Sequence, residues 1–198
     1  MSTRIEDGTG SGNFASVTSL KQLSVQSESV PSEGYQAQLN KSFVVHAECH
    51  TAAAASGGLM IITNNDQDYD LEITRVYIDA CVLTPADLIV TQEFDATGAS
   101  GTDVSSTAVI QKNKNSNATF NLTVKVSDSS ADLTLSGGTQ YHRFAMPTKT
   151  SQQRDMKGTN IIPSNSSIAW GWKTAGGGNA TDGEIVSLSV NVIKRERT

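Results

Sequence analysis

The sequence predicts an antiparallel β-sandwich preceded by an extended N-terminal arm. Two observations carry that prediction. Apolar and polar residues alternate along almost every patterned stretch, and clusters of Gly, Asn, Asp and Ser separate those stretches at short intervals. A third supports it: no stretch of about 12 residues shows the 3.6-residue stripe of a helix.

The chain opens "MSTRIEDGTGSGNFASVTSLKQLSVQ". A phosphate-binding reading of "GTGSGN" fails on context. A dinucleotide fingerprint needs its glycines after a strand and at the start of a helix, and a P-loop needs Gly-Lys-Ser/Thr, whereas Asn13 follows Gly12. No apolar core of about 7–15 residues marks a secretory signal, and no run approaches the roughly 18 apolar residues of a membrane span. The expected reading is a glycine-flexible polar arm over 1–40, ending in a short alternating strand from Leu20 to Gln26, with the sandwich over 41–198.

Within 41–198 the alternation is clearest in two places. In "ATFNLTVKV", Phe120, Leu122, Val124 and Val126 alternate with Asn121, Thr123 and Lys125; in "EIVSLSVNVI", Val186, Leu188, Val190 and Val192 alternate with Ser187, Ser189 and Asn191. Each pattern suits a strand with one buried and one wet face. Shorter strands are expected at "SFVVHAEC", "GLMIIT", "LIVTQEF", "STAVIQ", "ADLTL", "YHRFA" and "SIAWGWK", with turns at "NNDQD", "ATGASGTD", "LSGGTQ", "PSNSS" and "AGGGNATDG". The polar "TSQQRDMKG" (150–158) reads as a loop, and "TAAAA" (51–55) as at most one helical turn. One strand is irregular: Leu71 and Ile73 share a parity that Val76, Ile78 and Val82 do not. A bulge near Thr74–Arg75 or coverage on both faces would account for it; coverage is favoured, because Tyr77 continues the first parity, and the strand is expected to lie centrally.

The 198 residues suffice for one sizeable core. Charged residues make up 18% and aromatics 6%, a surface of hydroxyls and amides. A net charge of −5 and a pI near 5.1 argue against a nucleic-acid partner, which calls for a basic patch. The one basic cluster, "IKRER" at the C-terminus, reads as a solvated chain end or as a contact with an acidic neighbour in an assembly. The two cysteines, Cys49 and Cys81, read as small buried hydrophobes.

"MSTRIEDGTGSG…V…LSV", "NKSFVVHAE", "GLMIITNNDQDYDLEITRVYID" and the late "IIPSNSSIAWGW" together resemble small structural proteins of tailed bacteriophage virions. Members of that group have an Arg-Ile-Glu-Asp-Gly-Thr-Gly arm, a strand ending in an Asn-Asn-Asp/Glu turn, and an apolar return strand. The resemblance covers most of 1–80 and, more loosely, 159–194; residues 83–158 match nothing. It implies a jelly-roll-like domain on the particle, acting as capsid decoration, cement or another accessory, with no enzymatic activity and no cofactor. Its expected partners are the major capsid protein or other virion proteins and further copies of itself, a trimer being the guess, with no nucleic acid and no membrane. The expected location is the virion, assembled in the host bacterial cytoplasm.

An extended polar arm orders when it adds to a neighbour. Arg4, Ile5, Glu6, Asp7, Phe14, Val17 and Leu20 are therefore the expected partner-binding residues. His46, Glu48 and His50 alternate on one strand face and are the best, though weak, metal candidates, since neutral imidazoles suit zinc; the alternative is a wet polar stripe opposite Phe43, Val45, Ala47 and Cys49. "NNDQDYD" (64–70) crowds oxygen ligands that would suit Ca²⁺, but lacks the glycine and late glutamate of an EF-hand, so Asx turns explain it better. Trp170 and Trp172 share a strand face with Ile168. Outward, they would form a glycan-stacking platform, making a carbohydrate- or receptor-binding module on a tail or head fibre the alternative function; inward, which Ala169 and Gly171 favour, they are core.

Overall fold

A computed structural model describes residues 37, 39–81, 88–113, 119–147 and 150–197, together with three short strands within 1–36. The chain divides into two units, Met1–Ser32 and Glu33–Thr198. In the first, β1 (Arg4–Glu6), β2 (Phe14–Val17) and β3 (Leu23–Ser24) form a three-stranded antiparallel sheet in the order β1-β2-β3. The arm is thus more than one short strand. The "GTGSGN" segment lies outside the described residues.

The second unit opens with β4 (Ser42–His50), β5 (Ser56–Asn64), β6 (Tyr69–Cys81) and β7 (Leu88–Ser100). An insertion follows: β8 (Thr102–Asp103), one helical turn α1 (Ser105–Ala108), β9 (Val109–Gln111) and β10 (Leu122–Val126). The chain closes with β11 (Leu133–Met146), β12 (Thr150–Ile162), β13 (Ser167–Thr174) and β14 (Ile185–Glu196). One antiparallel sheet has the order β11-β7-β13-β5-β10-β8, the other β12-β6-β14-β4-β9.

Without the insertion, the strands form two four-stranded sheets, β11-β7-β13-β5 and β12-β6-β14-β4, and successive strands change sheet at every step except β7 to β11, which pair with each other. This is the double Greek-key order of a jelly roll. The insertion extends one margin of both sheets: β10 pairs with β5, and β9 pairs with β4. At the opposite margin the long strands β11 and β12 are the edges.

The core lies between the sheets. Phe43, Val45, Cys49, Val76, Ile78, Val124, Val186, Leu188 and Val190 are fully buried, as the period-two pattern requires. Each such aliphatic side chain contributes about 1.5–3 kcal/mol of transfer free energy. Phe120 packs on Phe43 with ring centroids 4.0 Å apart. Burial also pushes the Cys49 thiol far up, leaving it an inert hydrophobe.

Four expectations are corrected. The irregular strand β6 is bulged rather than covered: its register on β14 shifts beside Thr74, Ile73 and Val76 are both buried, and Tyr77 is 45% exposed. The strand is nevertheless central, between β12 and β14. The loop read at 150–158 is part of β12, polar because it forms a sheet edge. "ADLTL" and "YHRFA" are one strand, β11, which runs through Gly137 and Gly138, both at positive φ. Finally, "STAVIQ" divides into α1 and β9.

Candidate functional site

The N-terminal unit brings the backbones of the arm residues together. Arg4 lies opposite Ser16, Ile5 opposite Ala15, Glu6 opposite Phe14, and Val17 opposite Leu23. Asp7 and Leu20, also expected to bind a partner, lie outside the described residues.

Trp170 and Trp172 are 0% and 2% exposed and belong to the core with Ile168. A stacking platform needs an open ring face, so these two residues do not form one. Their strand β13 lies between β7 and β5, and its inner face looks onto the second sheet.

His46 and Glu48 are exposed and His50 is half-buried on the outer face of β4, opposite the buried Phe43, Val45 and Cys49. His46 Nδ1 lies 2.7 Å from Ser189 Oγ on the neighbouring strand. Among the described residues no group of three His, Cys, Asp or Glu side chains is placed to hold a metal ion. The three residues form the wet stripe.

The acidic loop and the basic C-terminus, far apart in sequence, meet each other. Lys194 Nζ lies 2.6 Å from Asp66 Oδ2, Arg197 Nε 3.2 Å from Asp70 Oδ1, and Arg195 pairs with Glu72; Lys41 Nζ is 2.7 Å from Glu196 Oε1. Lys194 also stands 4.8 Å above the Tyr69 ring and 5.1 Å from that of Phe120. Within the loop, the amides of Asp66 and Asp68 donate to the side chains of Asn64 and Asp66, as Asx turns do. Two of the loop's carboxylates, Asp66 and Asp70, are therefore paired with cations of the same chain. Within "IKRER", Lys194 is largely buried in this contact, whereas Arg195, Glu196 and Arg197 pair within the chain and keep about half or more of their side-chain surface in solvent.

The outer face of the β11-β7-β13-β5 sheet carries a feature the alternation does not reveal. Ile61, Ala96, Leu133 and Ala169 form a second apolar cluster, separate from the main core. Leu133 passes so close to β5 that a Cβ on Gly58 would lie 2.7 Å from its carbonyl oxygen, and one on Gly98 would lie 2.9 Å from Ile61. Beside this cluster lies a cleft of about 440 Å³, with Thr91, Glu93, Gln140, Leu135, Trp172 and Lys173 among its walls. Its floor includes Gly57 and Gly171. Thr91 Oγ1 donates to Glu93 Oε1 at 3.1 Å. The only sequence signal was glycine inside strand patterns, which marks a close approach.

At the β11–β12 margin, Arg154 Nη1 lies 3.1 Å from His142 Nδ1, and its guanidinium stands 4.9 Å from the Phe144 ring. Partial burial, and secondarily the Arg154 charge, hold the His142 imidazole below its usual pKa.

Fold and surface together define a jelly-roll domain preceded by a small separate β-unit. No protein-family model matches the sequence, and no curated protein or solved structure is similar enough to it to bear on function.

Proposed function

We propose that this chain is a non-enzymatic structural protein of a tailed-bacteriophage particle, a decoration or cement protein that docks through its N-terminal unit. The observation that carries the reading is the division of the chain. Residues 1–32 form a unit of their own with strands of only three, four and two residues. Sheets that small are marginal in isolation and need a surface to pack on. A partner's surface would supply it, and the sandwich would then be held over a junction between shell subunits. The jelly roll is compatible with this role, being common in viral capsid domains, although a fold alone does not fix function. The sequence resemblance of the arm points the same way.

The equivalent sites of a symmetric particle favour an oligomer, and a trimer is the form proposed. The partner is the major capsid protein or another virion protein.

Deleting residues 1–32 is expected to abolish co-sedimentation with particles while leaving the melting temperature of the sandwich unchanged. Undiminished binding by the truncated chain would remove the arm from the docking role.

A further inference from the structure

We infer that the cleft on the outer face of the β11-β7-β13-β5 sheet is a binding site for a neutral saccharide. Its volume of about 440 Å³ suits a small ligand. The chemistry of its walls selects among ligand classes. Lys173 is opposed by Glu93 and Asp132, so the lining carries a net negative charge and disfavours phosphate, sulfate or nucleic acid. A purely apolar ligand would cover the Thr134 hydroxyl and the Gln140 amide without offering them a hydrogen bond, which is costly. A divalent cation would need a group of carboxylates and imidazoles that the described residues do not assemble.

A sugar ring matches what remains. It presents hydroxyls at its edge and C–H groups on its face, and the cleft offers both kinds of partner. Glu93 and Gln140 lie directly opposite each other in strand register and Thr91 donates to Glu93, so the hydrogen-bonding groups come from neighbouring strands of a rigid sheet. Leu135 supplies an apolar wall. Gly57 lets the Trp172 indole pack against the backbone: a Cβ there would lie 2.9 Å from the indole nitrogen. At Gly171 the close packing holds two of the lining groups in place, since a Cβ there would lie 3.2 Å from Thr91 Oγ1 and 3.4 Å from Leu135 Cδ1. The site is not the tryptophan stacking pair: Trp172 alone of the two reaches its lining, and that side chain is only 2% exposed.

The inference does not depend on the docking role of the arm. The test is a printed array of neutral mono- to tetrasaccharides with sulfated and sialylated glycans as comparators, probed with the full chain, followed by calorimetric titration of the strongest neutral ligand. At least one neutral saccharide is expected to bind saturably. Glu93→Gln and Lys173→Ala, each with an unchanged melt, are expected to weaken it about tenfold or more, while Tyr77→Ala on the opposite sheet leaves it unchanged. The inference is overturned if no neutral saccharide binds, if only the charged glycans bind, or if Glu93→Gln binds as tightly as the parent chain.

Discussion

At the residue scale, the fold rests on side chains whose inward placement follows from parity alone. Val124 is 0% exposed at the centre of β10, between two half-buried polar neighbours. Val124→Asp places an uncompensated charge in the core, a change that costs about 3–5 kcal/mol. The variant is expected to lose its cooperative thermal transition; a normal melt would refute the strand assignment. Trp170 and Trp172 were legible in the same way, because small residues alternate with them. Gly57 was not, since nothing local shows that an indole fills the space where its side chain would stand. Gly57→Ala is expected to destabilise by about 1–3 kcal/mol through overpacking. Gly176→Ala, with no atom within 4 Å of the added carbon, should stay within about 0.5 kcal/mol of the parent. Equal melting temperatures for the two glycine variants would contradict the packing described.

At the scale of elements, strands with one wet face could be read directly, whereas those at the margins could not. β12 looked like a loop because an edge strand carries polar residues on faces that a central strand would bury. The bulge in β6 was visible as a parity break, but burial on both sides would leave the same trace; the register shift on β14 and the exposure of Tyr77 separate the two. The cleft likewise depends on how β11 crosses β5, a long-range contact with no local signature. The β11–β12 margin makes a testable pH prediction. Unfolded His142 takes up a proton near pH 6.5, whereas the folded residue does so only at lower pH, being partly buried and beside Arg154. Between those values the unfolded chain binds more protons, so stability falls as pH drops through that window. His142→Asn is expected to flatten the decline in melting temperature between about pH 7 and 5; an unaltered slope would show that this histidine contributes nothing to it. A second acid limb lies lower. Asp128 is held below its usual range, chiefly by the Ser130 amide, and Asp103 by the Ser105 hydroxyl. Their stabilising contribution is present above about pH 4 and is lost as pH falls through their folded values.

For the whole molecule, composition and turn spacing pointed to a sandwich, and the structure bears that out with two antiparallel sheets in jelly-roll order. The strand order itself was not legible, because alternation says which face is buried but not which strands pair. The meeting of "NNDQDYD" with "IKRER" was hidden for the same reason: β14 lies beside β6 in space but more than a hundred residues away in sequence. This contact also contributes to stability. Lys194 and Asp66 are each only 12% exposed, and Lys194→Ala is expected to cost about 1.5–3 kcal/mol, in the range of hydrogen bonds to charged groups. A change below about 0.5 kcal/mol, the usual scatter of surface substitutions, would mean that the pair is merely superficial.

The proposed role at the virion surface has a direct test, the copy number per particle. It is obtained by quantitative mass spectrometry of purified virions, with the major capsid protein as internal standard. Decoration of a symmetric shell predicts hundreds of copies, in fixed proportion to the capsid subunit. A dozen copies or fewer would place the protein at the tail or portal vertex, and its absence from the particle would contradict the proposed function outright.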